Sequence, residues 1–326
     1  MKTRTLGKGG LKIGEVGLGC WQLGGDDFGP LAEDTAQSIL AVGAESGTTF
    51  FDTANVYGAG LSESRIGKFL KAHGQGIVVA SKTGRGDVYP DKYSLENLRT
   101  SVQESSQRLG VDCLDLLQLH CVPHRLLEEG AIFDWLREVQ GEGLIRHFGA
   151  SVETVEEGLT CLGQDGLLSL QVIFNPFRQK LVKELLPQAA EAGVGLIVRL
   201  PLASGLLSGK FGVETTFGET DHRHYNRDGD AFNVGETFAG LPFAKGVQLA
   251  DELKAHVPPG MTMAQMTLRW ILDFEEVSVV IPGATSPGQA RENAAVSDLP
   301  PLSEDLHTSL REFYNSQVHD HIRGAY

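Results

Sequence analysis

Four residues that can give, take or hold a proton sit at or just beyond the ends of short apolar runs. Asp52 follows TFF (49–51), Tyr57 lies five residues later, Lys82 closes IVVASK (77–82) and His120 closes CLDLLQLH (113–120). A carboxylate, an ammonium and an imidazole brought into one cup shift one another's pKa, and with a phenol among them the set points to proton transfer. A plainer reading makes Asp52 and Lys82 a buried ion pair with Tyr57 packed beside it. Spacing alone leaves both open.

The elements that must carry these residues can be read from the hydrophobic pattern. Strand-like runs recur at VGLGCW (16–21), TFFDTA (49–54), IVVASK (77–82), CLDLLQLH (113–120), IRHFGAS (145–151), SLQVIFN (169–175), GLIVRLP (195–201) and VSVVIPG (277–283). Helical spacing separates them, as in SESRIGKFLKAH and SLENLRTSVQESSQRLG, where Ser94 and Gly110 occupy N-cap and C-terminal positions. Strands alternating with helices imply an α/β fold with a parallel sheet. No G-x-G-x-x-G follows the first strand, whose glycines read GLGCWQ (17–22), and no phosphate-binding G-x-x-x-x-G-K-[ST] occurs, GLLSGKF (205–211) being the nearest. Eight strands without a dinucleotide fingerprint favour a single (β/α)8 TIM barrel over residues 1–326. Its chemistry then belongs at the carboxyl ends of the strands. TRTLGKGGLKIG reads as a hairpin capping the amino-terminal mouth. The long loop after the seventh strand, roughly 211–241, reads as irregular and is expected over the active site.

Composition narrows the partners. Lys and Arg number 28 against 42 Asp and Glu, a net charge of −14 that disfavours nucleic acid and anionic membrane surfaces. No long uncharged apolar run and no leader-like segment is evident, so a cytoplasmic location is expected. The four cysteines form no C-x-x-C pair and read as reduced thiols.

FDTANVYGAGLSESRIG, ASK, YSLENLRTSVQESSQRLGVDCLDLLQLH, RHFGAS, PLASGLLSGKF and IPGATSPGQARENAA, in that order and spacing, resemble the aldo-keto reductase family over about residues 3 to 300. The resemblance implies that Asp52, Tyr57, Lys82 and His120 are the catalytic tetrad of an NAD(P)-dependent reductase or alcohol dehydrogenase. In that chemistry Tyr57 is the general acid/base, Lys82 lowers its pKa, Asp52 holds Lys82 charged, and His120 orients a small carbonyl or alcohol substrate. By the same resemblance Gly19, Cys20 and Trp21 meet the nicotinamide ribose and the substrate, while Ser151 and Gln171 bind the carboxamide. The loop carrying Pro201, Leu202, Ser204, Gly205, Leu206, Gly209 and Lys210 would fold over the pyrophosphate. Gly283, Thr285, Ser286, Gln289, Glu292 and Asn293 would face the adenosine end.

Two departures from the family pattern bear on the cofactor. Arg199 stands where many members stack an aromatic residue on the nicotinamide. Gly283, Ala284 and Gln289 replace the Lys, Ser and Arg that commonly grip the 2′-phosphate, and no Arg or Lys lies between Arg269 and Arg291. NAD(H) is therefore favoured, with NADP(H) possible if Arg291 swings inward. The polar loop residues Asp221, His222, Arg223, Asn226, Arg227 and Asp228 favour an aldehyde, sugar or polyol over a steroid. His120/His124, His222/His224 and His319/His321 are spaced like metal ligands but lack acidic companions, so no metal is expected and the latter two pairs read as solvated. A nucleotide-sensing regulatory subunit of the same fold with slow turnover is the alternative function. The oligomeric state is open.

Overall fold

The computed structural model describes residues 1–73 and 76–326. An antiparallel hairpin, β1 (Thr3–Leu6) and β2 (Leu11–Gly14), precedes eight strands: β3 (Leu18–Gly19), β4 (Phe50–Asp52), β5 (Val78–Thr83), β6 (Leu114–His120), β7 (Ile145–Ser151), β8 (Leu167–Ile173), β9 (Gly195–Arg199) and β10 (Val277–Val280). From β3 to β10 the strands pair in parallel in sequence order. Parallel bridges Val16–Val280 and Gly19–Gly283 join the first strand to the last, and Gly17 N and Gly19 N donate to the carbonyls of Val280 and Pro282. The result is a (β/α)8 barrel with its helices outside.

Helix ends follow local chemistry. Ser94 Oγ accepts from Asn97 N at 3.1 Å, and Gly110 closes the helix Leu95–Leu109 at φ 70°. Thr154 with Glu157, and Thr262 with Gln265, form reciprocal capping boxes. The hairpin inserts Leu6 and Ile13 beneath Phe50, Ala80, Leu116, Ile197 and Val279, closing the amino-terminal end with an apolar plug. A larger apolar cluster fills the space between strands and helices.

Because alternate residues of a strand face one side, each inward row continues upward by steps of two. Phe50 leads to Asp52, Ala80 to Lys82, Leu116 through Gln118 to His120, and Ile197 to Arg199. Each of these four rows is apolar at the plug and polar at the carboxyl end.

Three local expectations are corrected. The first strand holds only Leu18–Gly19, and Trp21 begins a single 3-10 turn, Trp21–Gly24. The seventh ends at Arg199 because Leu200 adopts φ 49° and Pro201 has no N–H to continue the ladder. The stretch 211–241 is not wholly irregular: it carries a helical turn, His222–Tyr225, and 3-10 turns at Val234–Glu236 and Phe238–Gly240.

Candidate functional site

The ladder brings Asp52, Lys82 and His120 to one face of adjacent strands, and the loop after β4 returns Tyr57 over them. Lys82 Nζ donates to Asp52 Oδ1 at 2.5 Å, to Thr53 O at 2.7 Å and to Tyr57 Oη at 3.4 Å. The second oxygen of Asp52 accepts from Gln118 Nε2 (3.0 Å) and Gln171 Nε2 (2.7 Å), and Gln171 also donates to Gln118 Oε1 at 3.2 Å. His120 stands edge-on to Tyr57, ring centres 5.8 Å apart, and Trp21 stacks on the other side of Tyr57 at 5.7 Å. The ion-pair reading and the proton-transfer reading therefore describe the same atoms. A close approach of backbones sets the position of Tyr57: a Cβ on Gly58, itself at φ 59°, would lie 1.4 Å from Gly24 O.

Burial dominates the acid–base behaviour. It raises the Tyr57 phenol above its ordinary range, and the Lys82 ammonium pulls against this without overcoming it. The expected lowering of the Tyr57 pKa by Lys82 is thus present but outweighed by burial. For Lys82 burial acts downward, but Asp52 and then Tyr57 together outweigh it and the ammonium is held above its ordinary value. Burial, then the charges of Arg85 and Lys82, keeps His120 well below the usual histidine range, so the imidazole is neutral.

A second buried charge cluster lies against the first. Glu236, from the long loop, pairs with Arg85 at 2.5 Å and Arg199 at 3.5 Å, and Arg85 also meets Glu153 at 3.1 Å. Arg199 donates to Val152 O at 3.3 Å and toward Cys121 Sγ at 3.5 Å. Burial would raise the Glu236 carboxyl, but Arg85 and then Arg199 hold it well below the usual carboxylate range. Burial, with the neighbouring Glu236 charge, pushes the Glu153 carboxyl up to about 7. Cys121, Glu153 and Glu236 present ligand atoms within 4.8 Å of one another, but the two guanidinium groups already supply the positive charge there.

The long loop is pinned over the mouth at another point too. His222 packs at a tilt against Trp21, ring centres 4.7 Å apart, and its Nδ1 donates to Asp27 O (2.9 Å), while Trp21 Nε1 and Tyr225 Oη donate to the Asp27 carboxylate. His222 is therefore fully buried, correcting the solvated reading, whereas His224, His319 and His321 are exposed. His124 lies 3.1 Å from Thr160 Oγ1.

The other expected cofactor contacts fall around this mouth. Gly19 ends β3 and Cys20 follows it beside Asp52, whose carbonyl accepts from Cys20 N. Ser151 is buried next to Cys121, and the Gln171 amide nitrogen is committed to Asp52 and Gln118. Pro201 and Leu202 lead into a turn in which Ala203 and Ser204 take φ of 48° and 54°. Ser204 Oγ bonds to the loop at Glu236 O and Phe238 N, and the buried Leu206 side chain packs against Gly246. Gly205 (φ 101°) and Gly209 (φ 69°) shape the turn, and Lys210 is exposed. At the start of helix Pro287–Ala295, Ser286 Oγ accepts from Gln289 N, and Gln289 Oε1 accepts from Thr285 N and Thr285 Oγ1. Asn293 Nδ2 donates to Gly283 O at 3.2 Å, while Glu292 and Arg291 are exposed.

A nicotinamide nucleotide fits what these residues leave unmet. Among the described residues, His120 Nδ1, Arg199 Nε and Gln22 Oε1 are buried without a hydrogen-bond partner, and all three lie on the segments that ring the mouth. Non-glycine residues at positive φ gather there as well, at Cys121, Leu200, Ala203, Ser204, Phe238 and Ala239, each costing about 1–3 kcal/mol that the surrounding contacts must offset.

Several residues of the site escaped the sequence reading. Gln118 could have been found, since it lies two residues before His120 and so faces the same side. Arg85, Glu153, Glu236, Asp27 and Gln22 carry no comparable signal, because they meet only through loops.

Residues 15–315 match the sequence model of the Aldo/keto reductase family. An L-galactose dehydrogenase of Arabidopsis thaliana is 30% identical over 319 residues, covering 94% of this chain and 92% of that protein. A probable voltage-gated potassium channel subunit beta of the same plant is 29% identical over 322 residues, covering 93% of each. The holo form of aldo-keto reductase AKR11C1 from Bacillus halodurans superposes with a TM-score of 0.77 at 25% identity, covering 96% of both chains. With the barrel and this coverage together, the chain belongs to the aldo/keto reductase family of NAD(P)-dependent oxidoreductases.

Proposed function

We propose that this protein interconverts a small aldehyde, sugar or polyol carbonyl with its alcohol, with Tyr57 as general acid/base. The observation that carries the reading is one buried ammonium, that of Lys82, within hydrogen-bond distance of both the Asp52 carboxylate and the Tyr57 hydroxyl. A bound nicotinamide nucleotide supplies or accepts the hydride. As hydride reaches the carbonyl carbon, negative charge gathers on its oxygen, and Tyr57 delivers the proton there. Neutral His120 offers an N–H to the same oxygen and fixes its direction. Lys82 takes up the charge left on the phenolate, and Asp52, steadied by Gln118 and Gln171, keeps Lys82 charged and aimed. A phenol held protonated by burial is ready for reduction at neutral pH, and alcohol oxidation requires it to lose that proton.

Tyr57→Phe keeps the ring and removes the proton donor. Turnover should fall by about 10² to 10⁴ with nucleotide affinity nearly unchanged. More than a tenth of wild-type turnover would show that another group is the acid.

NAD(H) should serve at least as well as NADP(H). At the family's phosphate grip stand the neutral Gly283, Ala284 and Gln289, and Gln289 spends its amide oxygen on Thr285, which with Ser286 can serve a neutral ribose hydroxyl. Losing two charged contacts removes on the order of 3 kcal/mol of phosphate recognition, taking about 1.5–3 for each. Steady-state kcat/KM for NADH and NADPH with one substrate is the measurement, and a tenfold advantage for NADPH would sink the preference.

The relative described as a potassium channel subunit keeps a second reading in view, a nucleotide sensor that turns over slowly. Nucleotide binding with no reduction across a panel of aldehydes and ketones would favour it.

A further inference from the structure

Gln22 lies in the turn that follows the first barrel strand, and its side chain rests on Gly283 at the end of the last. A Cβ built on Gly283 would fall 2.0 Å from Gln22 Nε2 and 2.3 Å from both Cδ and Oε1. The Gln22 amide thus occupies the volume in which any side chain at position 283 would begin. The Gly19–Gly283 bridge fixes the two segments against each other, and Asn293 Nδ2 holds the Gly283 carbonyl. Only glycine at 283 admits this arrangement.

The amide end is not spent. Gln22 Oε1 is buried and accepts no hydrogen bond among the described residues. A buried, unmet acceptor is unfavourable until a donor reaches it. A ribose hydroxyl can donate, whereas a phosphate ester dianion presents only acceptors and would meet the amide oxygen with repulsion. Position 283 is where the common family pattern places a lysine. Glycine there both removes the cation and makes room for the neutral amide.

We propose that Gln22 is a cofactor-discriminating residue, which accepts a ribose hydroxyl of the nucleotide and disfavours its 2′-phosphorylated form. This rests on the NAD(H) reading above and names a side chain responsible for it. The sequence gap at the phosphate grip explains weak NADPH recognition, whereas Gln22 supplies recognition of the unphosphorylated nucleotide.

The test is a binding titration of the full chain with NADH and with NADPH, followed by quenching of tryptophan fluorescence, on wild type, Gln22→Ala and Gln22→Lys. Thermal unfolding of each variant checks that the fold is kept. Gln22→Ala should weaken NADH by about two- to tenfold, the net worth of one hydrogen bond, and leave NADPH unchanged or tighter, since the repelling amide oxygen is gone. Gln22→Lys should tighten NADPH by about tenfold or more, since it returns a cation to the slot. Equal changes for both nucleotides in Gln22→Ala would overturn the assignment of Gln22 while leaving a wild-type preference for NADH standing. A wild-type preference for NADPH by tenfold would overturn the NAD(H) reading, and the role of Gln22 with it.

Discussion

Two buried charge clusters meet at one barrel mouth, and they are built in opposite ways. Asp52, Lys82, Gln118 and Gln171 all sit on strands, so ladder register sets their separations, and one carboxylate balances one ammonium. Arg85, Glu153 and Glu236 come from loops, with Arg199 alone at a strand end, and two carboxyls face two guanidiniums. The strand cluster has no spare charge. The loop cluster does, because Glu153, raised to about 7, is only partly ionised near neutral pH and can ionise further when the neighbouring negative charge is lost. A buried network whose members titrate can absorb the loss of one, whereas an isolated pair cannot.

The largest effect expected from this contrast is on stability. Asp52→Ala strands Lys82 in the barrel and should cost about 3–5 kcal/mol, the usual penalty for breaking a buried pair. Glu236→Ala should cost less, about 1–3 kcal/mol, because Glu153 ionises to face Arg85. Chemical denaturation of both variants decides the matter, and equal losses would show that the loop cluster has no reserve.

Next in size is a displacement of the pH profile, on which the clusters act with opposite signs. Lys82 lowers the Tyr57 pKa and Glu236 raises it. Reduction needs the phenol protonated, so its rate falls as pH rises through that pKa. In a still-active Lys82→Met enzyme the falling limb should move up by about 1–3 units, the reach of a charge at this distance. Glu236→Gln should move it down by less. Profiles of kcat against pH for the two variants sharpen the comparison, and an unmoved limb in Lys82→Met would mean that Lys82 and Tyr57 are not coupled.

The smallest effect concerns Arg199. Its positive charge should disfavour the cationic ring of NAD⁺ relative to NADH, but Glu236 already offsets part of that charge. Arg199→Tyr should tighten NAD⁺ over NADH by only about two- to fivefold, equivalent to ~0.5–1 kcal/mol. Titrating both nucleotides against both proteins measures it, and equal changes would remove the electrostatic argument.

Much of the fold and most of the strand-borne cluster, Gln118 excepted, are legible in the sequence. The eight strand runs, the capping hairpin, Ser94 and Gly110 follow from periodicity and local chemistry, which act over a few residues. The meeting of Asp52, Lys82 and His120 was legible for the same reason: they end their runs, and a strand's period of two forces them to the side on which Phe50, Ala80 and Leu116 are buried. Trp21 and Leu200 departed from the strands drawn for them, because the break depends on a 3-10 turn and a positive φ that propensity does not encode. Net burial decided the direction of the Tyr57 shift, a sum over surroundings that no motif contains.

The sequence by itself determined which side chains the strands deliver to the carboxyl end of the barrel, since alternation is a property of the backbone. Only the tertiary structure decided what loops bring there: Glu236 onto Arg85 across 151 residues, His222 under Trp21, and Gln22 onto Gly283. Loop conformations answer to contacts between distant segments rather than to a local repeat, so their partners appear once the chain has closed.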